Sequence, residues 1–250
     1  MIVANWKCNG SIEMMLSWGA AYDSAIKVKT YKEDIEGIYV GLAPPSIYFY
    51  PFISEDYVIF IGAQDVDYSN GSRTGEISVD MLSDIDCDFS IIGHSERRQI
   101  FNEDNSLIKK KLISLNKNFM TIILCIGETK EENDKGITKD VLKDQLEIVN
   151  GLELNPYFTV AYEPVWAIGS GLTPEPKDVN EIHKYIKDVV QSNSENNLSP
   201  KVLYGGSVNE DNAESFFKEE FVDGALIGGA SLDGKQFANI VNIYNEINSK

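Results

Sequence analysis

The chain has 250 residues, with 22 Lys and Arg against 39 Asp and Glu, a formal net charge of −17, and 43% hydrophobic residues. So acidic a chain is repelled by nucleic-acid phosphates and anionic lipid, which both recruit basic patches, and this points to cationic or neutral partners. The apolar content excludes a disordered chain, and the length suits one α/β barrel, read as a single domain over residues 1–250.

Short apolar runs recur at Ile2–Trp6, Ile38–Ala43, Ile59–Ala63, Phe89–Gly93, Thr121–Gly127, Thr159–Glu163, Lys201–Gly206 and Ala225–Gly229. They are rich in Val, Ile and Tyr without strict alternation, the pattern of parallel strands buried on both faces. Between them lie segments with helical spacing. Ile108, Leu112, Leu115 and Phe119 form one stripe, and Leu142, Leu146 and Val149 another. Val179, Ile182, Ile186 and Val189 form a third, and Phe237, Val241, Tyr244 and Ile247 a fourth. Eight strand–helix units of about 31 residues fill the chain without a linker. That count predicts a closed (β/α)₈ barrel rather than an open doubly wound sheet.

Cys8, Cys87 and Cys125 make no CxxC pair and cannot complete a disulfide framework, which predicts a reduced, cytosolic protein. The start Met1–Lys7 lacks the basic and apolar regions of a signal peptide, and no run approaches the roughly 18 apolar residues of a membrane helix. Neither nucleic acid nor membrane is expected as a partner.

In such a barrel, functional side chains sit where strands end and βα loops begin. The first window ends Asn5-Trp6-Lys7, where the lysine reads either as a solvated rim residue or as a fixed cation at the barrel mouth. The fourth reads Gly93-His94-Ser95-Glu96-Arg97-Arg98. His94 follows a buried strand and is the better catalytic candidate of the two histidines, since His183 falls in a helical stretch beside Ile182 and Ile186. Glu96, Arg97 and Arg98 could instead form a structural ion-pair cluster, the reading favoured over direct chemistry for the two arginines. In the sixth window Glu163 closes an apolar strand, where a carboxylate is expensive unless hydrogen-bonded or functional. Pro164 stops that strand. Bulky Trp166 and Ile168 then precede Gly169 and Gly171, a composition suited to a hinged lid, and the large apolar residues predict something beneath to cover.

Glycine pairs complete the mouth at Gly205-Gly206-Ser207 and Ile227-Gly228-Gly229, the two strand ends where these barrels commonly bind phosphate. Gly169-Ser170-Gly171 lacks the third glycine of a dinucleotide fingerprint. Gly229–Lys235 has P-loop spacing, but Gln236 occupies the required Ser/Thr position. No cofactor or metal site is read from the sequence.

These segments together resemble the triosephosphate isomerase family along essentially the whole chain. The resemblance implies interconversion of dihydroxyacetone phosphate and D-glyceraldehyde 3-phosphate, in glycolysis and gluconeogenesis. It implies Glu163 as the base and His94 as a neutral electrophile, held neutral by a helix N-terminus. Lys7 would stabilise negative charge with Asn5 as a polar neighbour, while Gly169, Ser207, Gly228 and Gly229 would bind phosphate under a closing lid. It also implies a homodimer through the loop Gln64–Val79, with Thr74 and Gly75 at its tip. A merely long surface loop is the alternative. Three positions depart from the family pattern: Asp65 where Asn is commoner, Ser170 for Thr, and Leu172 for Lys. They bear on dimer stability and lid kinetics. Cys8 and Cys125 are read as packing residues. The competing readings are another phosphate-binding barrel, such as an aldolase or a different phosphosugar isomerase, and a catalytically silent binding protein.

Overall fold

The computed structural model describes residues 1–27, 39–49, 52, 59–168 and 172–248. Strands β1 (Ile2–Asn5), β2 (Val40–Ala43), β3 (Phe60–Ala63), β4 (Phe89–Ile92), β5 (Thr121–Ile126), β6 (Phe158–Tyr162), β7 (Lys201–Tyr204) and β8 (Ala225–Ile227) close into a barrel in sequence order. Every pairing is parallel, with Asn5 beside Ala43, Cys125 beside Ala161, Tyr162 beside Tyr204 and Ala4 beside Ile227. Helices α1 (Ile12–Ala25), α2 (Val79–Asp84), α3 (Ser95–Ile100), α4 (Asn105–Lys117), α5 (Lys130–Asp134), α6 (Thr138–Leu146), α7 (Pro176–Asn193), α8 (Ala213–Phe217) and α9 (Gly234–Asn248) form the outer layer. Among the described residues no helix is long and apolar enough to cross a membrane.

All strands but β6 are shorter than the apolar runs that announce them, and β6 begins one residue earlier and ends one residue before Glu163. β1 stops at Asn5 rather than Trp6, and β8 stops before Gly228, because the chain turns out of the sheet to form the mouth. Ile38 lies outside the described residues. Phe119 leaves its predicted stripe: Asn118 caps α4, and Phe119, at φ 53°, is 70% exposed. Polar side chains set several helix starts. Ser11, Ser78 and Asp104 accept from the backbone of Met14, Met81 and Leu107, and Thr129 with Glu132 forms a capping box on α5.

Val3, Ala43, Phe89, Ile91, Ile123, Cys125, Ala161, Leu203 and Leu226 pack as a cluster inside the barrel. Phe89 fills its lower part because Gly41 and Gly62 face it; a Cβ on Gly62 would overlap the ring. Side chains alternate along a strand, so the next inward positions after Val3, Ile91, Ala161, Leu203 and Leu226 are Asn5, Gly93, Glu163, Gly205 and Gly228. Those five positions form the upper rim. The larger cluster between strands and helices buries Trp6, Trp18, Leu42, Leu112, Leu142, Ile186 and Phe237, each contributing on the order of 1.5–3 kcal/mol.

The segment 64–79 is not structureless. A parallel bridge joins Asp67 to Ser78, Asp67 N–H donates to Ile77 O at 2.7 Å, and Arg73 is ion-paired with Asp67. The loop thus closes on itself and hands over to α2 at Val79.

Candidate active site

A cavity of about 450 Å³ opens at the carboxyl ends of the strands. Its lining includes Asn5, Lys7, His94, Glu163, Ile168, Ser207, Gly228 and Gly229. Gly169, with Ser170 and Gly171, lies outside the described residues.

Lys7 stands two residues beyond β1 with φ at 52°. Its N–H donates to Asn5 Oδ1 at 3.0 Å, and its ammonium meets Glu96 Oε1 at 2.6 Å with the side chain one-quarter exposed. It is both a rim lysine and a held one.

Gly93, at φ 67°, turns the chain so that His94 becomes the N-cap of α3, where a Cβ would crowd Cys125 O. His94 Nδ1 accepts from Glu96 N–H at 3.2 Å, so the proton of the neutral ring sits on Nε2. Nε2 lies 3.1 Å from Glu163 Oε1, and Glu163 Oε2 accepts from Ser95 N–H at 3.2 Å. Glu163 is 2% exposed. Glycines make the room: a Cβ on Gly127 would overlap the Glu163 carbonyl, and one on Gly205 would press its Cγ.

Burial pushes the Glu163 carboxyl up, but His94, the Ser95 N–H and Lys7 together outweigh burial and hold it below its ordinary range. Burial likewise opposes charge on His94, and the Glu163 carboxylate outweighs it, so the imidazole lies above its ordinary value. The Glu96 N–H at Nδ1 works against that charge, since a protonated Nδ1 has no lone pair to offer. Cys125 lies beneath this pair, fully buried as expected, and burial pushes its thiol far up. Cys8 is instead exposed, which corrects its reading as a packing residue: it sits in the turn after Lys7, outside the sheet.

At β7, Ser207 Oγ donates to Ala167 O at 2.6 Å, joining the phosphate-loop candidate to the segment that leads into 169–171. At β8, Gly228 and Gly229 open a short 3₁₀ turn, Gly229–Leu232, whose first N–H groups have no intrahelical partners. Gly228 O accepts from Ser231 N–H at 2.9 Å and from Ser231 Oγ at 2.6 Å. Ser231 O in turn accepts the indole N–H groups of Trp6 at 3.2 Å and Trp18 at 2.8 Å. The sequence carries no signal for Ser231; only the folded turn exposes its part.

Ile168 lines the main cavity, whereas Trp166 does not. Its indole donates to Glu128 Oε1 at 2.9 Å, next to Tyr162, in a separate hollow of about 330 Å³. What Trp166 covers is therefore Glu128, a buried carboxylate that sequence reading passed over. His183 is fully buried, with Nδ1 3.1 Å from Phe221 O and its ring edge-on to Tyr162, consistent with helix packing.

The arginines after His94 are structural. Arg98 donates to Gly93 O, Asn105 and Cys125 O. Arg97 pairs with Asp65 at 2.8 Å and Glu103 at 2.6 Å, and the nearly buried Lys111 meets the same two carboxylates at 2.8 and 2.6 Å. Burial lifts the Asp65 carboxyl from 3.8 to about 6, against the pull of Lys111 and Arg97. A carboxyl raised on folding stabilises below its unfolded value, and that stabilisation is lost as pH rises through about 6.

The triosephosphate isomerase family model matches residues 1–244. The triosephosphate isomerase of Legionella pneumophila (strain Lens) is 39% identical over 254 residues, covering 98% of each chain. That of Aquifex aeolicus (strain VF5) is 38% identical, covering 96% of this chain and 98% of its own. That of Klebsiella pneumoniae is 39% identical, covering 96% and 95%. A full-length match of this kind, on a closed barrel that gathers Lys7, His94 and Glu163 around one cavity, makes the chain a member of the triosephosphate isomerase family.

Proposed function

We propose that the chain interconverts dihydroxyacetone phosphate and D-glyceraldehyde 3-phosphate, as its relatives' name describes. The observation that carries this is the contact of a buried carboxylate with an imidazole, Glu163 and His94 at 3.1 Å, in a cavity shared with the Lys7 ammonium. Glu163 takes a proton from the carbon beside the carbonyl, the electron pair moves onto the carbonyl oxygen as an enediolate, and Glu163 returns the proton to the neighbouring carbon. His94 polarises the oxygens and moves protons between them, while Lys7 stabilises the negative charge. Asn5 supports Lys7. Gly169, Ser207, Gly228 and Gly229 donate to the phosphate, and closure of the lid excludes water. The chemistry calls for a base, an acid and a cation, and for no redox cofactor or metal.

The pKa directions suit this division of labour. When a ligand parts Glu163 from His94, the carboxyl loses the largest influence that lowers it, burial weighs more heavily against the Ser95 N–H and Lys7, and the group becomes a stronger base. On His94, burial and the Glu96 N–H then both favour the neutral ring. A Schiff-base aldolase would need a lysine in mid-strand, whereas Lys7 lies beyond β1 and Lys201 starts β7 with its side chain exposed. A silent binding barrel would not need all three chemical groups.

The same reading places one domain over residues 1–250 in the cytosol, as a homodimer joined through Gln64–Val79. Exposed Ile47, Met81, Ile100 and Phe101 support that interface, and Arg97 ties Phe101 to Asp65 at the loop's root. Sedimentation at micromolar concentration should give a dimer; a fully active monomer removes the interface. The function itself is tested by a coupled assay on glyceraldehyde 3-phosphate, in which wild type must exceed a Glu163→Gln control.

A further inference from the structure

Lys7 holds a left-handed backbone, φ 52°, that a lysine rarely adopts and that something must maintain. Its N–H is tied locally to Asn5. Its carbonyl is held from another strand: the Gln64 side-chain amide donates to Lys7 O at 2.9 Å and to Ala43 O at 2.9 Å. One NH₂ group therefore bolts the peptide after Lys7 to the end of β2, from the residue that follows β3. The next residue, Asp65, grips Arg97 on α3, the helix whose Glu96 holds the Lys7 ammonium. Backbone and ammonium of Lys7 are thus both referred to the start of the segment 64–79.

We propose that Gln64 is a positioning residue for Lys7: its amide keeps the Lys7 peptide in the left-handed conformation that directs the ammonium into the cavity. This rests on the reading of Lys7 as a substrate-contacting group. If the Gln64 amide is lost, Lys7 O and Ala43 O lose their shared donor and the Lys7 peptide is free to relax. The ammonium then leaves its place by an ångström or more, a displacement that costs about 100-fold in rate.

The test is a double-mutant cycle on isomerase activity with Gln64→Met, which keeps the length of the side chain and removes the donor, and Lys7→Ala. The expected result is a fall in kcat/KM of about 10- to 100-fold for Gln64→Met alone, carried mainly by kcat, and less than about threefold when Lys7 is already alanine. If Gln64→Met fails to fold, Gln64→Glu takes its place, since it keeps shape and polarity yet cannot donate to two carbonyls. If the double variant turns over too slowly to measure, the cycle is run on inorganic phosphate affinity by calorimetry. Equal losses in both Lys7 backgrounds, or wild-type activity in Gln64→Met, overturn the proposal. Failure of the underlying reading looks different: Lys7→Ala would then itself be fully active.

Discussion

Glu163→Gln should lower kcat/KM for glyceraldehyde 3-phosphate by about 10³-fold, within the roughly 10²–10⁴ that a positioned general base contributes. The amide has nearly the shape of the carboxylate but no basic oxygen at neutral pH. Its cost to the fold is bounded by the two donors that now meet Glu163, the His94 ring N–H and the Ser95 N–H. Glutamine can accept from one of them while its NH₂ opposes the other, leaving a buried donor unmatched at about 1–3 kcal/mol. The variant should therefore melt lower than wild type and still fold. Glu163→Asp separates charge from position: it keeps the base but withdraws it by about an ångström, for an expected loss near 10²-fold. The coupled assay checks both, and activity in Glu163→Gln within about tenfold of wild type would remove Glu163 from the chemistry.

Lys7→Ala should lower kcat by about 10²–10³-fold, the scale of losing one preorganised donor to developing negative charge. The melting temperature should hardly move. The Lys7–Glu96 pair is 26% and 43% exposed, and pairs so open to water contribute at most about 1 kcal/mol. Alanine meets the same left-handed strain at φ 52° as lysine does. A large kinetic defect on an unchanged melt marks a group that acts on the ligand. Normal turnover would return Lys7 to the solvated rim.

The barrel is legible in the sequence because strands buried on both faces must be apolar throughout, and eight such runs are hard to miss. Their ends are less so. Trp6 extends the first run though it has left the sheet to pack on Trp18 and Phe52, and Phe119 extends a helical stripe that Asn118 has already ended. The short helices Val79–Asp84 and Ala213–Phe217 carry too few residues for periodicity to show. His94 and Glu163 can be singled out because a polar group directly after a buried strand is costly. Contacts between distant positions leave no such mark: Lys7 with Glu96, Gln64 with Lys7, and Trp166 with Glu128 are set by the way loops meet at the rim. Asp65 reads as one added charge near an interface loop. Folded, it is one of four charges in a nearly closed network.

The turn after β8 bears on how so acidic a molecule could receive the dianion proposed for it. Two carbonyls of that turn are already occupied, Gly228 O by two donors from Ser231 and Ser231 O by two tryptophan indoles. A carbonyl has two lone pairs, so these oxygens are saturated from the protein side. Those two acceptors no longer compete with the N–H groups at the start of the turn. The turn is thus polarised by subtraction: two of its acceptors are spent within the protein, a local sorting of donors from acceptors that net charge does not reveal.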